Sequence, residues 1–303
     1  MAKSVKNFFA KHIWLVMLFA GFLFFIPARL SEPSLRKSES KQMIALIPHL
    51  DIAGQTRQRF LQKIKLQINP SDVIVLSTNH FGSSEANIVF DSSTWDIKQG
   101  NVKGGQHNEF SNLYNSHELV VSDHGIRNVV PDIYNVFPGS GFTSFLIKNS
   151  SSEAEVRLLI DNINSFCQIK NRSCLILGSV DMSHYNPSSL AEIHDGFTLN
   201  ALQHLNIEKL KKAETDSPEV LTILTELAKI QGYSGFDLFE RSDTGIVGNN
   251  NEMETTSWII GNFSSTPNEI SDSSYLIFAG DIMLDRSVNH IFKDQGFERI
   301  FDN

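Results

Sequence analysis

The chain has 303 residues, 41% hydrophobic and 20% charged, with 34 acidic against 26 basic side chains and a formal net charge of −8. It is long enough for one large core or two smaller ones. The acidic excess, with no Lys/Arg cluster, argues against nucleic-acid binding.

The first informative element is Ile13–Pro27 (IWLVMLFAGFLFFIP), an uncharged apolar run that Ala28 and Leu30 extend around Arg29. At about 1.5 Å per residue it is just long enough to span a bilayer. Lys3, Lys6 and Lys11 precede it, so residues 1–30 read as one transmembrane helix with the body outside the cell membrane. A cleaved signal peptide is the competing reading, against which stand the length of the run and the lack of a small-x-small site. Residues 31–42 are polar and read as a tether.

The body is expected over 43–263. Strand Met43–Ile47 leads to a helix from about Gly54 to Gln67 and then to strand Val73–Ser77, a β-α-β unit of right-handed crossover. Asn87–Val102 reads as a strand pair or edge extension, and Asn101–Glu109 as a polar loop. Glu118–Val121 precedes a helix through Val130 that is interrupted near Pro131. Strand Phe142–Ile147, the amphipathic helix Glu153–Phe166 and strand Cys174–Leu177 follow. Helices over Leu190–Leu205 and Pro218–Gln231, then strands Phe236–Glu240 and Thr256–Phe263, complete a three-layer α/β pattern. Cys167 and Cys174 flank a short loop; a disulfide and a pair of half-buried thiols both remain open. Residues 264–274 have linker composition, and 275–303 cannot bury a core of their own.

Three strands end in metal-type donors: His49 after IALIP, His80 after VIVLSTN, and Asp181 with His184 after LILGSV. Buried parallel strands present their carboxyl ends to one crevice, so these groups are expected to converge there. Each has a structural alternative: a loop hydrogen bond for either histidine, and a helix cap for Asp181, Asp123 or Asp216. A metal site of this kind also needs a carboxylate. Asp216, just before Pro218, is the candidate, with His49 and His80 as the other ligands. His124, His184 and Asp181 are the candidate catalytic groups. No P-loop, nucleophile elbow or dinucleotide fingerprint occurs.

The segments PHLDIAGQT, VLSTNHFG, DHGIRNVVPDIYNVFP, LGSVDMSHY and ETTSWIIGNF, in this order, resemble the Memo-like family, called AmmeMemoRadiSam system protein B in bacteria and archaea. That resemblance implies an α/β sandwich similar to the class III extradiol (LigB-like) dioxygenases, with a metal cleft at strand ends. By position it makes His49 and His80 metal ligands, and matches Asp181, His184 and His124 to the family's motifs, with Asp123 and Gly125 as departures. Some family members carry a cysteine as third ligand where this chain has Asp216. The exchange shifts the expected ion from Cu(I) towards Fe(II), Mn(II) or Zn(II). Residues 275–303, opening with YLIFAGDIMLDR, resemble the start of a CapA-type capsule or poly-γ-glutamate synthesis domain.

The function expected is therefore that of a membrane-anchored metalloprotein, an oxidoreductase or hydrolase acting on a small molecule or peptide in the cleft. The alternatives are a non-catalytic binding module for a peptide or small ligand, and an accessory protein of capsule synthesis.

Overall fold

The computed structural model describes residues 41–267, apart from 83, 106–107, 170 and 251–253. The described strands are β1 (Lys41–Ile47), β2 (Asp72–Thr78), β3 (Ile88–Asp91), β4 (Trp95–Ile97), β5 (Gly100–Val102) and β6 (Tyr114–Asn115). They continue with β7 (Gly141–Ile147), β8 (Ser173–Ser179), β9 (His184–Asn186), β10 (Gly235–Asp243) and β11 (Thr255–Ser264). The main sheet runs β10-β11-β1-β8-β2-β7-β3-β6, with β9 on β11 and β4–β5 as a separate pair. Its centre, β1, β8, β2 and β7, is parallel. Antiparallel β3 and β11 flank that centre.

Alternation along the central strands divides the interior into two cores. Ile44, Leu46, Ile74, Leu76 and Ile176 face one side, packed with Leu159, Ile163, Leu202, Leu221 and Leu224 of helices Glu153–Cys167, Ser188–Gln203 and Pro218–Ile230. Met43, Ala45, Ile47, Val73, Val75 and Leu177 face the other, packed with Phe60, Ile64, Ile126 and Ile133 of helices Gly54–Lys65, His124–Arg127 and Val130–Val136. Each fully buried Leu, Ile or Phe contributes about 1.5–3 kcal/mol, so covering both faces is what makes a parallel sheet stable. The three-layer α/β architecture expected from the sequence is the one observed.

The helix expected through Val130 is interrupted near Pro131 as foreseen: it breaks after Arg127 and restarts as Val130–Val136, with Pro131 in the first turn, where its missing N–H costs nothing. Several local readings need correction. Glu118–Val121 lies in a helix, His117–Ser122, capped by Ser116. Strand β10 runs on to Asp243, and β6, β9 and the short helices Ile207–Leu210 and Thr244–Gly248 are too brief to leave a period. Cys167 and Cys174 form a disulfide with Cα atoms 5.8 Å apart. The expected transmembrane helix (1–30), most of the tether and the CapA-like segment lie outside the described residues. Among the described residues, no helix is long and apolar enough to cross a membrane.

Candidate metal centre

Strand β8 lies between β1 and β2, with Ile47 and Ser77 both in register with Ser179. The residues that follow the three strands therefore emerge side by side. His49 follows β1, Asp181 follows β8 and His80 follows β2. The His49 and His80 rings meet edge to face with centroids 4.9 Å apart. His124, the first residue of its short helix, closes the group: its ring lies 3.8 Å from that of His80 and 5.2 Å from that of His49. One nitrogen from each of the three lies within 4.8 Å of the others.

His124 reaches this position because its helix presses on the end of β2. A Cβ on Gly125 would stand 2.2 Å from Ser77 Oγ and 2.9 Å from a carbon of the His80 ring, so only glycine allows the approach. Ser179 Oγ donates to the Gly125 carbonyl at 2.5 Å, and Ser77 Oγ to the Ser179 carbonyl at 3.0 Å, tying helix to strand ends.

The fourth donor comes from the far side of the sheet. Thr215 Oγ1 and the Asp216 N–H both donate to the Asp181 carbonyl, at 2.7 and 3.2 Å. Ser217, not Asp216, caps helix Pro218–Ile230, its Oγ accepting from the Val220 N–H. The Asp216 carboxylate is thereby free of the capping role open to it in the sequence. Its Oδ2 stands 3.3 Å from His49 Nε2 and 3.5 Å from His80 Nε2. That oxygen is buried and has no hydrogen bond of acceptable geometry.

Two further carboxylates hold the rings. Asp181 accepts from the His49 backbone N–H at 3.0 Å and lies 3.2 Å from its Nε2. Asp123 accepts from the His80 N–H at 3.0 Å and from its Nδ1 at 2.8 Å, and it also caps the His124 helix through the Gly125 N–H. For His80, whose Nε2 faces Asp216, this carboxylate on the second nitrogen is the usual support for a metal site. On His49, Asp181 instead shares Nε2 with Asp216, and Nδ1 lies 3.5 Å from Ser179 Oγ. The capping role foreseen for Asp123 is real, but its grip on His80 was not legible; the only signal was an acidic residue beside His124.

The electrostatics of the two histidines diverge. Burial pushes His49 down to about 4, helped by the neighbouring His80 and His124 rings and opposed by Asp216. Burial also opposes charging of His80, but its hydrogen bond to Asp123 and the nearby Asp123 and Asp216 charges outweigh it and raise the group to about 9. Burial and the nearby Asp216 charge lift Asp181 to about 8. Without a cation the site thus holds its excess of carboxylates by keeping a proton on one of them.

His184 lies outside the three-histidine group: its Nδ1 bonds to the Met182 carbonyl at 2.7 Å, within β9. The reading of Asp181 as a helix cap is also set aside, since the next helix begins at Ser188. Sequence reasoning missed the ion network beneath β9. There Arg241 Nε lies 2.7 Å from Asp195, and Ser257 bridges from Asp195 to the Ser183 N–H. A groove of about 610 Å³ beside Val156, Ile160, Ile207 and Glu219 includes none of the histidines.

The group that could hold an ion is three imidazoles, with no thiolate among the described residues, and the Asp216 carboxylate stands beside two of the three. Around a tetrahedral ion with bonds of about 2.1 Å, donors sit roughly 3.4 Å apart; Asp216 Oδ2 lies at 3.3 and 3.5 Å from its two neighbours. The orphaned oxygen and the donor chemistry both fit a divalent first-row ion.

The fold and the site together define an α/β protein with a metal-type histidine cluster at the carboxyl ends of parallel strands. Among known proteins, the chain is 24% identical to a "MEMO1 family protein" of Ignicoccus hospitalis over 150 residues, 47% of this chain and 52% of that one. It thus matches about half the length of that relative. It is 19% identical to the family's protein of Caldivirga maquilingensis over 230 residues, covering 71% of this chain and 81% of that one. The corresponding protein of Aquifex aeolicus is 23% identical over 189 residues, 57% of this chain and 66% of that one. At this modest identity, these relatives support a Memo-like family for the chain. No family model matches it. A crystal structure of an uncharacterized Escherichia coli K12 protein aligns with TM-score 0.45 and 14% identity, over 66% of this chain and 91% of that one.

Proposed function

We propose that this chain is a Memo-like metalloprotein that binds one divalent ion, Fe, Mn or Zn, through His49, His80, His124 and Asp216. The observation that carries the reading is the buried Asp216 Oδ2, aimed between two imidazole nitrogens with no hydrogen bond to satisfy it. A bound ion supplies Lewis acidity, and in a redox metal an open position for oxygen. The protein's own part is to orient the rings: Asp181 holds His49 and Asp123 holds His80. Asp181, with its raised affinity for a proton, stands in hydrogen-bond reach of the cluster as an acid/base group. The reaction class proposed is metal-dependent oxidation or hydrolysis of a small molecule or peptide, on a LigB-like fold.

Metal analysis of the purified full chain tests this. About one ion per chain is expected, falling below a tenth in His49→Ala, His80→Ala and Asp216→Ala. Retention of the ion in all three would remove the assignment.

For location, the proposal is a single-pass anchor over 1–30 with the body outside the cytoplasm. The buried Cys167–Cys174 disulfide supports it, since such bonds persist in oxidising compartments. Carbonate-washed membranes should retain the chain; release into the wash would count against the anchor. The CapA-like reading of 275–303 belongs to the same proposal, and a downstream reading frame completing that domain would support it.

A further inference from the structure

Beneath the histidines lies Arg57, which residue type alone would set with Arg59 and Lys63 away from the apolar face of its helix but which the structure buries. Arg57 stands on the first turns of helix Gly54–Lys65 and is only 2% exposed. Its Nη1 donates to the Leu50 carbonyl at 2.5 Å and the Pro48 carbonyl at 3.3 Å, the carbonyls of the residues on either side of His49. Its Nη2 donates to the Asn128 carbonyl at 3.4 Å, at the end of the His124 helix. Nε and Nη2 together grip Asp132 Oδ2 at 2.8 and 2.7 Å, while Gln58 donates to Asp132 Oδ1. The guanidinium thus makes four hydrogen bonds and one further ion-pair contact. Asn128 Nδ2 closes the ring by donating to the His49 carbonyl at 3.2 Å.

We infer that Arg57, fixed by Asp132, is a positioning residue that sets the distance between His49 and His124 and so the geometry of the metal site. This inference rests on the metal reading above. One planar cation joins the loop carrying the first histidine to the helix carrying the third, alongside Asn128 and Ser179, which also touch both. Lysine carries three donors on one atom and cannot span carbonyls on opposite sides of a plane. A purely structural account would explain the buried ion pair, but not why the other three hydrogen bonds end on the carbonyls flanking His49 and on the carbonyl that closes the His124 helix.

The test is Co(II) titration of the full chain, followed by visible absorption, which reports the ligand field, alongside thermal unfolding. Arg57→Lys and Asp132→Asn should bind Co(II) roughly 10–100-fold more weakly, the range found when supports of metal ligands are removed. Their visible bands should shift from those of the wild type. An apolar pair, Arg57→Met with Asp132→Leu, addresses folding: it should unfold near the wild-type temperature yet keep the weakened affinity and shifted bands. Wild-type affinity and bands in Arg57→Lys and Asp132→Asn would overturn the positioning role while leaving the metal site standing. Absence of Co(II) uptake by the wild type, or equal uptake by His49→Ala, would overturn the metal reading and this inference with it.

Discussion

The two ends of the central parallel strands are built for different tasks. At the amino ends, the disulfide joins helix Glu153–Cys167 to the start of β8, and the loops are laced together locally. Ser71 Oγ donates to the Ser173 carbonyl at 3.1 Å, and Ser173 Oγ to the Asn69 carbonyl at 3.0 Å. At the carboxyl ends, three imidazoles and three carboxylates crowd together, and Asp216 Oδ2 and Asn79 Nδ2 are buried without partners. The disulfide and local hydrogen bonds brace the first end, although Gln42 near the start of β1 keeps both side-chain polar atoms buried without a hydrogen bond. What sets the second end apart is the crowding of like charges beside one another, which an ion would relieve. His49 and His80 divide in the same crowded place. Both stand beside two carboxylates, but deep burial pushes His49 down to about 4, whereas the Asp123 hydrogen bond and the Asp123 and Asp216 charges raise the less buried His80 to about 9.

The largest effect that would break this contrast is at the carboxyl ends. His49→Ala and His80→Ala should each lower metal affinity by a hundredfold or more, measured by competition with a chelator. Equal affinity in either would mean the histidines merely pack. Asp123→Asn comes next: loss of the carboxylate behind His80 should weaken metal binding about 10–100-fold. Stability should change little through the cap, because asparagine caps a helix about as well as aspartate.

At the amino ends the expectation reverses. Cys167→Ser with Cys174→Ser opens a short loop and should destabilise by about 2.5 kcal/mol. In a body of this size that is roughly 5–10 °C in melting temperature. Metal affinity should stay within about twofold; a larger change would show that the two ends are coupled.

Asp216→Asn sharpens the contrast further. With one carboxylate charge gone, the metal-free protein should melt a few degrees higher while its metal affinity falls at least tenfold, the trade of stability against function expected at a built site. A lower melting point would show that Asp216 is a structural acid.

The smallest effect is on pH dependence. His80 is raised above its ordinary value, so its stabilising contribution is complete below about 6.5 and disappears as pH climbs through about 9. Asp181 is raised to about 8, so its folded form also favours the proton and loses stability as pH rises towards that value. His49, depressed to about 4, acts in the opposite sense but only below about 6.5. Between pH 6.5 and 9 the metal-free protein should therefore soften, while metal uptake, which displaces protons, strengthens. The gap in melting temperature between loaded and metal-free protein should widen across that window. A constant gap would indicate that His80 carries no proton in the free site.

Much of this was legible in linear form. Apolar runs such as VIVLST and CLILGS, with helices between them, announce a parallel sheet covered on both faces, and polar residues at their carboxyl ends mark the crevice. Asp123 and Arg57 were less legible because their partners lie 43 and 75 positions away, at His80 and Asp132. The competition between Ser217 and Asp216 for the helix cap was undecidable from residue types, as both are good caps.

By itself the amino-acid order determined the layers, the strands and the set of metal-type donors, because periodicity and residue chemistry act locally. Which donors meet was decided only in three dimensions. Insertion of β8 between β1 and β2 brings the residues after those strands side by side, and Gly125 lets His124 close on them, while His184 is drawn away into β9. Sheet order and close approach are properties of packing between distant segments, which no local pattern encodes.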